Sequence, residues 1–197
     1  MSITAGVVAV QGNVSEHARA IEKVGTTHGK EITVREIRSS GTVPDCDVLL
    51  LPGGESTTIS RLLFEEGIAP EIREHVEAGK PVLATCAGLI VLGRTDDKRV
   101  RSLSLLDVDI ERNAFGRQRD SFETHLDIAG LDEPFPAVFI RAPAIETAGS
   151  CEVLARVEGR PVAIRQGSVI GTSFHPELTA DPRLHRLAFF DAPSLTP

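Results

Sequence analysis

Apolar residues follow two rhythms along this chain. Ile3 to Val10 is an apolar, β-branched run that stops at Gln11-Gly12-Asn13 and predicts a strand. Ser15 then stands as an N-cap before Ala18, Ile21 and Val24, which recur at helical spacing up to Gly25. Glu31 to Ile37 predicts a second strand, and Asp47 to Leu51 a short, fully apolar third that ends at Pro52-Gly53-Gly54. Ser56 and Thr57 can cap a helix carrying Ile59, Leu62 and Leu63. A further helix covers Pro70 to Ala78, and after Gly79-Lys80-Pro81 the run Val82 to Thr85 is another buried strand.

Strands and helices alternating at this spacing imply parallel strands joined by right-handed crossovers. Strands that are apolar throughout imply helices on both sheet faces. Beyond residue 95 the pattern changes to strands separated by turns: Leu105 to Ile110, Ala137 to Ile140, Glu152 to Val157, Pro161 to Arg165 and Val169 to Thr172. Arg160-Pro161 and Gln166-Gly167 can close hairpins there, and a last helix fits Pro182 to Phe190. No linker-like stretch divides residues 1–197, so a single α/β domain is expected, with a loose tail over 191–197.

Composition narrows the function classes. With 197 residues, 41% hydrophobic and 25% charged, the chain can bury a core without disulfides or a structural metal. The net charge of −7 argues against nucleic acid as a partner. So does the absence of Trp and Tyr, which leaves no platform for stacking bases. The 17 Arg and 4 Lys suit a salty cytoplasm or a biased genome equally well. Three Cys without a C-x-x-C pair suggest neither a disulfide framework nor a zinc knuckle. Apolar runs such as Val48 to Leu51 are too short to cross a membrane, and no basic-then-apolar leader is readable, so the expected address is the cytoplasm.

Ligands of open α/β sheets gather at the carboxyl ends of the strands. Two glycine-bearing loops fall there, Leu51 to Thr57 and Ala84 to Gly88. The second sets Cys86 between a buried strand and a helix starting near Gly88, the sharp turn that exposes a nucleophile. A lone cysteine is by itself more often a small buried apolar residue. His175-Pro176-Glu177 alters that balance. It follows a strand, so His175 can reach the same rim as general base and acid, with Glu177 holding the other ring nitrogen. His-x-Glu also suits a surface turn or two metal ligands, but His17, His28, His75, His125 and His185 show no spacing for a third ligand. If the two loops face each other, backbone N–H groups of Gly54 and Ala87 can form an oxyanion hole. No phosphate-binding G-x-x-x-x-G-K-[ST] loop is present. Arginines at 112, 117 and 141 offer forks for a substrate carboxylate, and Glu55 an acid for its ammonium group. His125, Cys46 and Cys151 read as structural.

Five strings then stand together: Leu51-Pro52-Gly53-Gly54-Glu55-Ser56-Thr57, Thr85-Cys86-Ala87-Gly88-Leu89-Ile90, Arg112-Asn113-Ala114-Phe115-Gly116-Arg117-Gln118, Phe139-Ile140-Arg141-Ala142-Pro143 and Phe174-His175-Pro176-Glu177-Leu178-Thr179. With the opening Gly6 to Gly12 and Glu16-His17, they resemble the glutaminase subunits of pyridoxal 5′-phosphate synthases over about residues 4–190. These subunits are class I glutamine amidotransferases. The resemblance implies a three-layer class I glutamine amidotransferase-like (flavodoxin-like) fold, a mostly parallel sheet flanked by helices with a smaller antiparallel β portion. It implies hydrolysis of L-glutamine to glutamate and ammonia without cofactor or metal. Cys86 is then the nucleophile of a triad completed by His175 and Glu177, and Gly54, Glu55, Ser56, Arg112, Ile140 and Arg141 bind glutamine. The implied partner is a synthase subunit in a ring-shaped hetero-oligomer, which uses the ammonia to build the vitamin B6 cofactor from ribose 5-phosphate and glyceraldehyde 3-phosphate.

The family usually has Gly where this chain has Ala84, two residues before the nucleophile. If that position needs a positive φ the turn is strained; if Gly is there for packing, one methyl group is absorbed, which is the expectation here. Two other readings keep some of the same residues. One is an amidotransferase feeding histidine or purine synthesis, and the other a non-catalytic regulator on the same sheet, as in the DJ-1 superfamily.

Overall fold

The computed structural model describes residues 2–112 and 121–191. β1 (Ser2–Val8) leads into α1 (Val14–Thr27), and β2 (Glu31–Ile37) lies parallel to β1. β3 (Val48–Leu51), α2 (Ser56–Glu65), α3 (Ile68–Glu77) and β4 (Val82–Thr85) repeat the unit, and α4 (Ala87–Leu92) follows at once. Then come β5 (Asp109–Glu111), β6 (Ser121–Leu126), β7 (Phe135–Ile140), β8 (Ala144–Thr147), β9 (Glu152–Val157), β10 (Arg160–Gln166) and β11 (Val169–Thr172). A 3₁₀ turn, Pro176–Leu178, and α5 (Arg183–Phe189) complete the order. The stretch Asn113 to Gln118 of the third string and residues 192–197 of the expected loose tail lie outside the described residues.

Seven strands form one sheet in the order β2-β1-β3-β4-β11-β10-β9, with two-stranded sheets β5-β8 and β6-β7 beside it. The run from β2 to β11 is parallel, and β10 pairs antiparallel with both β11 and β9. This is the expected mostly parallel sheet with a smaller antiparallel portion. Alternate residues of the apolar strands feed opposite cores. Leu49, Leu51, Val82 and Ala84 pack with α2, α3 and α4 on one face. Val48, Leu50, Leu83 and Ile170 pack on the other with Ile21 of α1, Leu184 of α5 and Phe135 and Phe139 of β7. Each fully buried Leu or Ile contributes about 1.5–3 kcal/mol of transfer free energy. No helix among the described residues is long and apolar enough to cross a membrane.

Three local expectations are corrected. Ser15 lies inside α1, whose N-cap is Asn13, and the helix continues past Gly25. Gly25 is there for contact: a Cβ on it would sit 2.2 Å from Cγ1 of Ile32 on β2. The strand expected over Leu105 to Ile110 shrinks to β5, because the N–H groups of Leu103, Leu105 and Leu106 bond the last carbonyls of α4, at Val91 and Leu92. Those residues close a helix end instead of extending a ladder. Glu55 caps α2 in place of Ser56 and Thr57, its carboxylate accepting from the N–H groups of Thr57 and Thr58. β6 and β8 went unforeseen, since Ser-Phe-Glu-Thr-His-Leu and Ala-Ile-Glu-Thr carry too few apolar residues to announce a strand.

Candidate active site

The carboxyl ends of β1, β3, β4 and β11 meet at one rim, and a cavity of about 340 Å³ opens there. Gly53, Gly54, Glu55 and Ser56 from the β3–α2 loop line it, with Cys86 and Ala87 after β4. Ile140 at the end of β7 and Arg141 after it, Arg112 after β5 and His175 after β11 complete the wall. The residues singled out from sequence therefore converge, apart from Glu177, which stands behind His175. Gly12, Asn13, Gly53 and Ile90 line the cavity as well and were not singled out as site residues.

Cys86 sits on a turn that β4 and α4 force upon it. Its N–H bonds Thr172 O at 2.8 Å, extending the ladder with β11, while its carbonyl accepts from Ile90 N in α4. The switch from strand to helix within one residue leaves Cys86 at φ 49°, ψ −106°. For a residue with a Cβ such backbone costs on the order of 1–3 kcal/mol and persists only where packing imposes it. Ala84 is fully buried within β4, paired with Leu51 and Gly171, and is not among the positive-φ residues. The methyl group is absorbed by packing, as expected, and the strain falls on Cys86 itself.

His175 is seated by backbone and core together. Its N–H bonds Val138 O on β7, and the preceding Phe174 packs against Phe135 and Phe139. Nδ1 lies 2.8 Å from Glu177 Oε1, and the ring lines the cavity beside Cys86, both side chains closing on Gly53. Burial opposes charge on this imidazole, but the neighbouring Cys86 and Glu177 outweigh it and push the ring up to about 10. Burial likewise opposes the charge on Glu177. The neighbouring His17 and His175 and the Asn13 amide win, and they hold the carboxyl down at about 2. Asn13 donates to Glu177 Oε1 at 3.0 Å and makes no side-chain cap on α1. Gly53 has to be glycine: a Cβ would fall 2.5 Å from His175 Cε1 and 3.2 Å from Cys86 Cβ.

At the outer wall the groups are charged and partly exposed. Glu55 bonds Thr57 and Thr58, which lower its carboxyl to about 2, and its backbone N–H bonds Gln11 Oε1 at 2.8 Å. Arg112 bridges Asp97 and Glu55, the latter at 3.3 Å. Arg141 is at φ 41° and exposed, with no side-chain partner among the described residues, so its fork is free to bind an anion.

Residues 7–191 match the model of the SNO glutamine amidotransferase family. The chain belongs to this family. It is 67% identical over 195 residues to the pyridoxal 5′-phosphate synthase subunit PdxT of Haloarcula marismortui, covering 98% of each chain. The PdxT subunit of Halobacterium salinarum is also 67% identical, over 97% of this chain and 95% of that one. Among solved structures, a glutamine amidotransferase superposes with a TM-score of 0.86 at 45% identity, over 93% of this chain and 96% of that one. Family membership makes the chain a glutamine amidotransferase, an enzyme that draws ammonia from the glutamine side chain.

Within that frame, the residues missed from sequence matter as much as those found. His17 is fully buried on α1, with Nε2 3.4 Å from Glu177 Oε2 and Nδ1 3.2 Å from Nε2 of an equally buried His185 on α5. Both imidazoles are pushed down by burial, His185 to about 3. A signal existed: His17 lies four positions before Ile21 and seven before Val24, on the apolar face of α1.

Proposed function

We propose that this chain is the glutaminase subunit of a cytoplasmic pyridoxal 5′-phosphate synthase, acting as one glutaminase domain over residues 1–197. L-Glutamine enters with its carboxylate toward Arg141 and Arg112, its ammonium group toward Glu55, and its backbone against Gly54, Ser56 and Ile140. The Cys86 sulfur, its proton taken by His175, attacks the side-chain amide carbon. The N–H groups of Gly54 and Ala87 receive the oxyanion. His175, oriented by Glu177, gives the proton to the departing nitrogen, and ammonia leaves behind a γ-glutamyl thioester. Water, deprotonated by His175, then releases glutamate and restores the thiol. The ammonia passes to a synthase subunit that combines it with ribose 5-phosphate and glyceraldehyde 3-phosphate.

The observation that carries this reading is Cys86 on a strained strand-to-helix turn, sharing a cavity wall with a histidine whose Nδ1 lies 2.8 Å from Glu177. The PdxT names of the relatives support the choice of partner and product. The test is ammonia release from glutamine with and without the cognate synthase subunit, followed by assay of pyridoxal 5′-phosphate. Release that rises with this synthase supports the proposal. Release that rises only with a histidine or purine synthase, or no alkylation of Cys86 by diazo-oxo-norleucine, would refute it.

A further inference from the structure

Behind the nucleophile lies a buried file of polar groups that the steps above leave unused. Glu177 has two oxygens, and its Oε1 is served by His175 and Asn13. Oε2 accepts no well-formed hydrogen bond; the polar atom facing it is Nε2 of His17, at 3.4 Å. Asn13 and His17 are four residues apart at the start of α1, so they share one helix face and meet the two oxygens of the same carboxylate. His17 Nε2 also lies 3.2 Å from Thr85 Oγ1, and its Nδ1 faces His185 on α5.

We propose that His17 is a positioning residue of the glutaminase: steadied by His185, it keeps an Nε2–H directed at Glu177 Oε2 and so fixes the carboxylate that orients His175. The proposal rests on the triad described above. Tautomers decide the direction of the chain. A neutral imidazole carries one N–H. With the proton of His17 on Nε2, that N–H points between Thr85 Oγ1 at 3.2 Å and Glu177 Oε2 at 3.4 Å, and Nδ1 accepts from His185 Nε2–H. His185 Nδ1, which has no partner among the described residues, is then a bare lone pair. The opposite assignment would aim a lone pair of His17 at an anionic oxygen and bury an unpaired N–H on His185. Unpaired buried donors are rare in proteins. The groups facing Glu177 are thus His175 from its own turn and Asn13 and His17 from α1, with His185 of α5 behind. A contact of 3.4 Å is long for a hydrogen bond, but such bonds in empty active sites often tighten once the reaction develops charge. His17 shares Glu177 with His175, so a tighter contact on Oε2 acts on the carboxylate that holds that imidazole.

The experiment uses the full chain with its synthase subunit and compares His17→Leu, which has no donor, with His17→Gln, whose amide can donate from a similar position. His17→Leu is expected to lower kcat for ammonia release roughly 10- to 100-fold, with KM for glutamine changed by less than about threefold. The acid limb of its kcat profile should move to higher pH, because Glu177 without that donor protonates more readily. His17→Gln should restore most of kcat and return the limb toward its original position. Equal losses in both variants, with an unmoved limb, would mean that His17 only fills space and would overturn the proposal. A fully active His17→Leu would overturn it too. Should His17→Leu fail to fold, His185→Leu takes its place, with a smaller fall in kcat and the same direction of limb shift; an unmoved limb then overturns the proposal. An unaltered protein that releases no ammonia from glutamine would instead refute the function proposed above, an outcome separable from the others because those are read against an active parent.

Discussion

The inner and outer walls of the cavity are built on different principles. On the inner wall, Cys86, His175 and Glu177 are buried, His175 is hydrogen-bonded to Glu177, and behind them His17 and His185 are fully enclosed. Their positions are set by α1, β4, β7 and α5, elements whose cores must form in any case. On the outer wall, Glu55, Arg112 and Asp97 pair at a partly exposed rim, and Arg141 has no side-chain partner among the described residues. Exposed ion pairs contribute little and rearrange cheaply, whereas a buried polar group without its partner costs about 1–3 kcal/mol. The inner wall is therefore suited to holding reacting atoms still, and the outer wall to exchanging one ionic partner for another when a zwitterionic substrate arrives.

That contrast can be broken in order of expected effect. Cys86→Ala should lower glutamine-dependent activity by about 10⁴-fold or more, while added ammonium salt still supports synthesis by the complex. Loss of the ammonium-driven reaction would mean that the inner wall also carries assembly. Next in size is Gly53→Ala, whose methyl group must push His175 aside; kcat should fall on the order of 100-fold with little change in melting temperature. An unaffected kcat would show that the inner wall yields as easily as the outer. Arg141→Ala should raise KM roughly tenfold and leave kcat near its original value, as expected for a binding contact on the rim. A fall in kcat alone would place Arg141 among the groups that hold the reacting atoms.

A smaller effect concerns pH and stability. His185 and His75 are held down at about 3 and about 4, chiefly by burial. Unfolded histidines take up protons near pH 6.5, so below that pH the unfolded state binds more protons and stability falls. The slope approaches about 1.4 kcal/mol per pH unit for each such histidine until the folded pKa is reached. His175, raised to about 10, acts oppositely: its stabilisation is complete below pH 6.5 and is lost as the pH rises toward 10. Glu177, held at about 2, stabilises above pH 4.3 or so and loses that contribution only on further acidification. Denaturant midpoints measured from pH 7 to pH 5 should therefore fall, and a flat profile would contradict the enclosure of His185 and His75. The smallest effect belongs to Ala84→Gly: stability should drop by about 0.5–1 kcal/mol, with activity changed less than twofold. A large gain in activity would mean that Ala84 does strain the turn.

The chain's own pattern made much of this legible. The pattern placed β2, β4, β9 and β11 at their observed bounds: β4 and β11 are continuous apolar runs buried on both faces, and β2 and β9 are β-branched, partly polar runs at the two edges of the sheet. It also put Cys86 at a strand-to-helix turn and His175 after a strand. Elements that rely on partners were harder. β6 and β8 are short and polar and exist because β7 and β5 pair with them. Asn13 looked like loop punctuation and serves Glu177, and Glu55 looked like a free acid and serves as a helix cap.

What a linear sequence can encode is periodicity, breakers and residue chemistry, and these were enough for the layered sheet, the strand-to-helix turn at Cys86 and the family resemblance. What it cannot display is which distant polar groups will share a burial site. His17, Glu177 and His185 lie in three separate segments, and only the packing of α1 and α5 over the sheet removes water from between them. Once water is excluded, a polar atom can be satisfied only by the protein, which is why His17 pairs with His185 and faces Glu177 behind His175.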